Sequence, residues 1–393
     1  MCKPILDKGS LKLINIFENA GYEAYAVGGC VRDSLMRRPV SDIDIAVSAP
    51  PSLSERLLEE QGIRFFETGI KHGTVTALVD GVTYELTTFR TDGEYSDNRR
   101  PDSVTFVTDL REDLSRRDFT VNAIAYSPRT GIVDPFGGTE DIEHRTLRAV
   151  GDPEKRFSED ALRILRGVRF SSTLDFTIEK ATAAAMLEKS PLLKNVARER
   201  VTVELFKLLE GVAAPRALRE NSGVLPHVHP ALASPDENAF SALEKLPRTA
   251  TVRLAALLFF APADDLYDLR LSREQKHDVS FYVSNVSSPL PADPAEVRLC
   301  LCNWGAERLY GLCRLRRAIF GDDPSLVISE AESVISEGKP YRVCDLAVSG
   351  TDLVALGVKG AQIGAVLAGL LRLVVREEIP NEKEALLAYV KSR

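Results

Sequence analysis

Cysteine is scarce in this chain, with six residues in 393, at positions 2, 30, 300, 302, 313 and 344. They form no C-x-x-C pair and no zinc-ligand spacing, which excludes a disulfide framework and a zinc ribbon and points to a reducing cytoplasm. Histidine is scarcer still: five residues, at 72, 144, 227, 229 and 277. His277-Asp278 has the dipeptide kernel of a metal phosphohydrolase but lacks the further spaced ligands, so it reads as helix surface. His227 and His229 in LPHVHP read as a loop following a helix. No run approaches the roughly 18 uninterrupted apolar residues of a membrane span. The opening MCKPILDKGSLKLINIFENAGY is a mixed-charge amphipathic pattern without the apolar centre and cleavage site of a signal peptide, so no membrane partner is expected. A general surplus of positive charge is also missing: 50 Lys and Arg stand against 57 Asp and Glu, a net charge of −7. That excludes a protein basic over its whole surface but not a basic face on an acidic molecule. RILRGVRF (163–170) and RLRRAIF (314–320) keep a nucleic-acid partner open.

What is present is a globular composition, 44% hydrophobic and 27% charged, on a chain long enough for several domains. Residues 24–148 mix short β-type runs (YAVGG, DIDIAV, TVTALV, VTYELTTF, SVTFV, GIVDPF) with one helical stretch near 52–61. Short Gly and Asp turns between them predict an antiparallel-capable sheet. From about 150 onward the apolar residues fall at helical spacing and strand signals vanish. The proline-rich SSPLPADPAEV (287–297) divides two helical groups.

Residues 26–47 read AVGGCVRDSLMRRPVSDIDIAV. In a strand, residues two apart share a face, so Asp42 and Asp44 project together while Ile43 and Ile45 point into the core. Two carboxylates on one rigid edge repel each other unless a hard cation lies between them. Magnesium suits such a pair, because it takes one or two carboxylates and fills its other positions with phosphate oxygens and water. Gly28 and Gly29 remove side chains where a backbone must approach a triphosphate, and Arg32 adds a phosphate partner. Taken alone, each half reads equally well as a surface strand or a mere turn. Joined in one short stretch they favour a site.

GGCVRD followed by SDIDIAV resembles the active-site signature of the polymerase-β-like nucleotidyltransferases. More narrowly, it resembles the class II tRNA CCA-adding enzymes and their relatives, the bacterial poly(A) polymerases. SRRDFTVNAIAY (115–126), VDPFGGTEDI (133–142), FSEDALRILRGVRF (157–170) and RERVTVELFKLL (198–209) follow in that family's order and spacing, over more than half the chain. The resemblance implies an α+β fold: a polymerase-β-like nucleotidyltransferase head over 1–148, then an all-helical neck (149–212), body (213–325) and tRNA-binding tail (326–393). It implies template-independent addition of C, C and A to the 3′ end of tRNA from CTP and ATP, with Mg2+ held by Asp42 and Asp44. Glu85 in YELTTFRT is the implied third carboxylate of a two-metal site; a partly exposed strand glutamate is the alternative. In RRDFTVNA, Asp118 and Asn122 supply an acceptor and an amide for ribose hydroxyls. Arg117 is a nucleotide contact by family analogy, and Phe119, Val121 and Ala123 are core.

EDALRILRG carries the most information. At about 100° per residue, one helix would bury Ala161, Ile164, Leu165 and Val168. Glu159, Arg163 and Arg166 would face the other way, with Asp160 and Arg169 at the margins. A solvated ion-pair face is one reading. Base chemistry offers another. Cytosine and adenine present an amino donor beside a ring-nitrogen acceptor, and uracil and guanine present the reverse. A carboxylate at Asp160 and a guanidinium at Arg163 would then accept C and A and reject U and G. The family is described as using a protein template of this kind, with Arg166 and Arg169 nearby for phosphates and base. RTDGEYSDNRRPDSVTF (90–106) reads as a mobile loop, which in this family accompanies enzymes that finish CCA. LAVSGTDLVALGVKGAQIGAVLAGLLRLVV resembles the family's tail, with Gly357, Gly360 and Gly364 allowing close approach. Rival readings are a poly(A) polymerase, an enzyme adding only part of CCA, and a non-catalytic RNA-binding protein on a decayed head. Intact DxD, RRD and EDxxR motifs speak against decay.

Overall fold

The computed structural model describes residues 4–40, 42–69, 72–93, 103–233, 236–261 and 269–392. The chain divides into two compact units, one of residues 1–234 with 267–270, the other of 235–266 with 271–393.

The first unit opens on helix α1 (Lys8–Asn19), which buries Leu13, Ile14 and Phe17. The Asp7 side chain caps it by accepting from the Ser10 N–H at 2.7 Å. Strand β1 (Ala24–Val27) leads through Gly28 into helix α2 (Gly29–Leu35), followed by β2 (Asp44–Val47) and α3 (Pro51–Glu60). Strands β3 (Arg64–Gly69), β4 (Thr74–Val79) and β5 (Val82–Thr88) form a meander. A small hairpin of β6 (Arg90–Asp92) and β7 (Val104–Phe106) comes next. The expected loop lies largely outside the described residues; only its two paired ends are seen. Helix α4 (Leu110–Ser115), strands β8 (Ala125–Ser127) and β9 (Gly131–Val133), helix α5 (Gly138–Glu143) and β10 (Thr146–Leu147) complete the head.

Seven strands make one sheet in the order β3-β4-β5-β2-β1-β8-β9. Its neighbours are antiparallel except β2 and β5, which run parallel with Asp44 opposite Glu85. The period-2 alternation is visible in β2. Ile45 and Val47 join the core that holds Leu13, Phe17 and Leu58, and Ala46 faces the opposite cluster with Phe89, Leu110 and Leu114. One helix near 52–61 was expected in the head, and α3 is there. The short helices α2, α4 and α5 are additional. Each spans only six or seven residues, less than two turns, so no amphipathic period can develop in the sequence.

The helical part of this unit contains α6 (Pro153–Glu159), α7 (Leu162–Leu174), α8 (Lys180–Lys189), α9 (Arg198–Leu209), α10 (Ala214–Glu220) and α11 (Leu225–Val228). Two expectations are corrected here. Strand structure does not vanish after 150, because β11 (Thr177–Ile178) pairs in parallel with β10. Nor is EDALRILRG one helix. Asp160 is extended (φ −135°, ψ 103°) between α6 and α7. Its Oδ1 accepts the Leu162 N–H at 3.0 Å, satisfying one of the donors a helix start leaves open.

The second unit is helical among its described residues: α12 (Glu237–Lys245), α13 (Ala250–Phe259), α14 (Arg273–Asn285), α15 (Pro294–Trp304), α16 (Ala306–Phe320), α17 (Ser325–Ser336), α18 (Gly350–Ala355), α19 (Gln362–Val375) and α20 (Lys383–Lys391). Val297, Leu301, Leu309 and Val327 anchor one core, and Leu353, Leu370 and Leu386 another. His277-Asp278 lies on α14, where Asp278 pairs with Arg308 at 2.8 Å. His229 is buried, and its Nδ1 accepts from the Ala231 N–H. Gly357 and Gly360 adopt positive φ in the turn between α18 and α19. Gly364 lies within α19 with open space where a side chain would project. No helix among the described residues is long and apolar enough to cross a membrane.

Candidate active site

A polar cleft of about 640 Å³ opens in the first unit between the end of the sheet and helices α7 and α9. Its head-side wall comes from β1 and β2. Their antiparallel register sets Val27 opposite Asp44, so the Gly28-Gly29 corner falls beside the carboxylates. Gly28 has φ 78°, and a Cβ there would stand 2.8 Å from Arg117 Nη1; glycine is required both by the backbone and by the arginine. Cys30 donates its thiol to the Val27 carbonyl at 3.3 Å. Burial and nearby Asp44 push it up to about 11, which makes it a packed thiol and not a nucleophile.

Asp42 and Asp44 both reach solvent in the cleft, with Ile43 and Ile45 buried behind them. The Asp44 carboxyl lies above its ordinary range: burial raises it, Glu85 raises it further, Arg117 opposes, and Asp42 adds to the rise. A carboxylate raised by burial and by neighbouring carboxylates belongs to a donor set that a hard cation relieves. Asp42 and Asp44 therefore fit a divalent ion. Glu85 stands on the adjacent strand but is not among the cleft-lining residues. Among the described residues no group of three His, Cys, Asp or Glu is close enough to hold a metal.

The RRDFTVNA segment supplies a buried polar hub. Asp118 Oδ1 accepts from the Phe119 N–H at 2.8 Å and from Asn122 Nδ2 at 3.0 Å. Its Oδ2 accepts from Arg166 Nε at 2.8 Å and Nη2 at 2.6 Å. Four donors fill the lone pairs of a carboxylate. Asp118 thus anchors Arg166, with four protein donors on the carboxylate that the sequence reading assigned to ribose hydroxyls. Asn122 donates one N–H to Asp118, and its Oδ1 accepts from Arg32 Nη1. Arg32 also pairs with Asp33 at 2.8 Å. Arg117 reaches Asp113 only at 3.5 Å and lies over the Gly28 corner.

The opposite wall holds Asp160 and Arg163, the two residues expected to read the base. Asp160 and Arg163 both line the cleft, and the Arg163 backbone N–H donates to the Asp160 carbonyl at 3.0 Å. Asp160 Oδ2 accepts from Arg200 Nη2 of α9 at 3.1 Å. Arg163, 8% exposed, is not on a solvated face as its helical phase suggested. Its Nη1 donates to Glu159 at 2.7 Å and to the Arg156 carbonyl at 3.1 Å, and its Nη2 to the Arg116 carbonyl at 3.1 Å. Glu159 is thereby occupied with Arg163 and Arg156. Arg169 pairs with Glu204 at 2.5 Å and stacks on the Phe170 ring at 3.8 Å.

Arg116, Arg200, Lys207 and Phe170 also line the cleft, and Glu204 stands behind it; none was assigned from sequence. Arg200, Glu204 and Lys207 sit at spacings of four and three within RERVTVELFKLL. That is one face of a helix, and it was the available signal.

Residues 24–148 match a family model described as the Poly A polymerase head domain, and residues 175–234 one described as a probable RNA and SrmB- binding site of polymerase A. The CCA-adding enzyme of Lacticaseibacillus paracasei is 37% identical over 385 residues, spanning 97% of this chain and 95% of that protein. The crystal structure of the Bacillus stearothermophilus CCA-adding enzyme in complex with CTP superposes with a TM-score of 0.80 at 34% identity, covering 98% of this chain and 96% of that one. The Thermotoga maritima CCA-adding enzyme complexed with tRNA shares the fold at a TM-score of 0.64 and 20% identity, over 98% of this chain and 96% of that one.

Proposed function

Because the chain belongs to the CCA-adding enzyme family, we propose that it adds C, C and A in turn to the 3′ end of tRNA, using CTP and ATP and no nucleic-acid template. The observation that carries this reading is one cleft with Asp42 and Asp44 on its head-side wall and Asp160 and Arg163 on its helical wall. The reaction joins the tRNA 3′-oxygen to the α-phosphorus of the nucleotide and releases pyrophosphate, so no protein nucleophile is needed. Nucleotidyltransferases of this family use divalent metal ions, and Mg2+ is our assignment, held by Asp42 and Asp44. When bound, it supplies charge neutralisation for the triphosphate and acidifies the attacking hydroxyl.

The chain's own residues do the positioning. The Gly28-Gly29 corner leaves room for the triphosphate, with Arg32 and Arg117 beside it as phosphate donors. Asp118 holds Arg166 at the cleft, and Glu204 holds Arg169. Asp160 keeps one lone pair on each oxygen after its bonds to Leu162 and Arg200, enough to accept the amino group of cytosine or adenine. Arg163 presents its guanidinium to the ring nitrogen, and its three fixed bonds keep it from following a wrong base. We further assign residues 149–212 as neck, 213–325 as body and 326–393 as tail, and place the enzyme in the cytoplasm.

The test is incubation of the purified protein with tRNA lacking CCA and each labelled nucleotide, singly and together. The expected result is two cytidines from CTP alone and a CCA end from CTP with ATP, with UTP and GTP unused. Long adenosine tracts, or no incorporation, would refute it.

A further inference from the structure

Seven arginines and one lysine line the cleft of the first unit. Each arginine lies within 3.5 Å of a carboxylate oxygen, from Arg32 on Asp33 at the glycine corner to Arg200 on Asp160 at the far end. Lys207 is different. It is exposed on α9, and among the described residues no carboxylate stands within ion-pair distance of its ammonium. Glu204, one turn before it, is committed to Arg169. A cation left unneutralised where every other one is paired is available to an anion that the protein itself does not supply.

The place of Lys207 along the cleft follows from how α7 and α9 run. Arg200 donates to Asp160 at 3.1 Å, Arg169 pairs with Glu204 at 2.5 Å, and Ser172 donates to the Leu208 carbonyl at 2.6 Å. The partners rise together in number, so the two helices run side by side in one direction. The end with Asp160 and Arg200 holds the base-reading groups. Toward the other end stands Phe170, whose ring meets the guanidinium of Arg169 at 3.8 Å and that of Arg32 at 5.1 Å. Arg32 belongs to α2, directly after the Gly28-Gly29 corner, and Arg38 beyond that helix donates to the Thr173 carbonyl at 3.1 Å. Lys207 is seven residues past Arg200, two turns on the same face and about 10 Å along the axis. It therefore stands toward the triphosphate corner and away from the base.

We propose that Lys207 binds the β- and γ-phosphates of the incoming nucleotide and stays with them as they depart as pyrophosphate. The proposal rests on the reading of the chain as a tRNA nucleotidyltransferase. In that reaction the 3′-oxygen forms its bond to the α-phosphorus as the bridging oxygen leaves with the electron pair. The hydroxyl proton passes to solvent, and negative charge grows on the β-phosphate. The paired arginines are held in one geometry by their carboxylates. An unpaired ammonium on a flexible four-carbon stem has three donors and can follow a group that moves. Base choice is left to Asp160 and Arg163, so Lys207 treats CTP and ATP alike.

The experiment uses the full-length protein with its Lys207→Ala and Lys207→Arg variants, in the absence of tRNA. Equilibrium binding of labelled CTP with Mg2+ is measured directly, and unlabelled CMP and inorganic pyrophosphate serve as competitors. Loss of a charge-assisted contact from an exposed side chain weakens CTP and pyrophosphate by roughly 5- to 20-fold in the alanine variant. CMP affinity, the preference for CTP over UTP, the melting temperature and separately measured tRNA affinity stay at wild-type values. The arginine variant, which keeps the charge, recovers most of the CTP affinity. Unchanged CTP and pyrophosphate affinity in the alanine variant overturns the proposal. So does an equal loss for CMP, which would mean a disturbed α9, and so does weakened tRNA binding at unchanged CTP affinity, which would assign Lys207 to a tRNA phosphate. Nucleotide binding is read apart from incorporation. A wild-type protein that prefers CTP to CMP through Lys207 yet extends no tRNA would count against the function and not against this contact.

Discussion

Asp118→Asn is the substitution that isolates the central ion pair of the cleft. The asparagine keeps the shape of the side chain, and its amide oxygen can still accept from the Phe119 N–H and from Asn122. It removes the negative charge that faces Arg166 and turns an –NH2 toward the guanidinium. The wild-type carboxylate is 8% exposed and the guanidinium 34%. Removing one partner of a fully buried pair costs about 3–5 kcal/mol. Arg166 keeps a third of its surface in water and has Glu204 at 3.9 Å as a second carboxylate, so solvent screening reduces the figure to about 2–3 kcal/mol. For a unit of this size each kcal/mol shifts the melting midpoint by about 2–4 °C, giving a loss of roughly 4–12 °C.

The pH dependence separates this cause from lost packing. Burial works against the Asp118 charge, but Arg166 and the Asn122 amide outweigh it and hold the carboxyl well below the usual range. A depressed native value means that the unfolded chain binds this proton first as pH falls. The stabilisation is therefore complete above the unfolded value of about 3.9 and is lost as pH falls through the native value. Urea unfolding of wild type and Asp118→Asn from pH 8 to pH 3.5 should show a constant gap down to about pH 5 that narrows below about pH 4. A gap under about 0.5 kcal/mol at pH 7, or one that stays constant at the acid end, would refute the reasoning.

Asp42→Ala and Asp44→Ala should each abolish incorporation of CTP and ATP alike while leaving the melting temperature and tRNA affinity near wild type, since both carboxylates face the cleft; retained incorporation by the double variant would sink the metal assignment. Asp160→Ala leaves the amino edge of the base unread at a cost of about 1.5–3 kcal/mol, so preference for CTP over UTP should fall about 10- to 100-fold in competition assays, and unchanged selectivity would reduce Asp160 to a helix cap with an Arg200 partner. Gly28→Ala puts a Cβ at positive φ, about 1–2 kcal/mol of backbone strain, and displaces Arg117, whose Nη1 would lie 2.8 Å away; the KM for both nucleotides should rise together, a result a purely structural glycine would not give.

The parts of the fold legible in the sequence are those where one local rule acts alone. The alternation of Asp42, Ile43, Asp44 and Ile45 survives folding, because a strand has a single side-chain period and both faces of this sheet are packed. Helices α1, α3 and α19 carry enough turns for their apolar stripes to show. What escaped was written in contacts between distant segments. Nothing near Asp118 announces that Arg166, forty-eight residues on, will fill its second oxygen, and nothing near Arg169 announces Glu204. The stretch 159–169 shows why this matters for function. Drawn as one helix, it offers Asp160 and Arg163 as neighbours one turn apart, free to form their own ion pair and so to hide from a base. The extended backbone at Asp160 prevents that. It gives the carboxylate to the start of α7 and to Arg200, while Arg163 turns inward to Glu159 and two carbonyls. Each half of the pair is fixed by other groups. On the proposed reading, a carboxylate and a guanidinium that line one cleft, each anchored by other groups, meet a donor beside an acceptor, and that arrangement depends on a helix break which hydrophobic periodicity smoothed over.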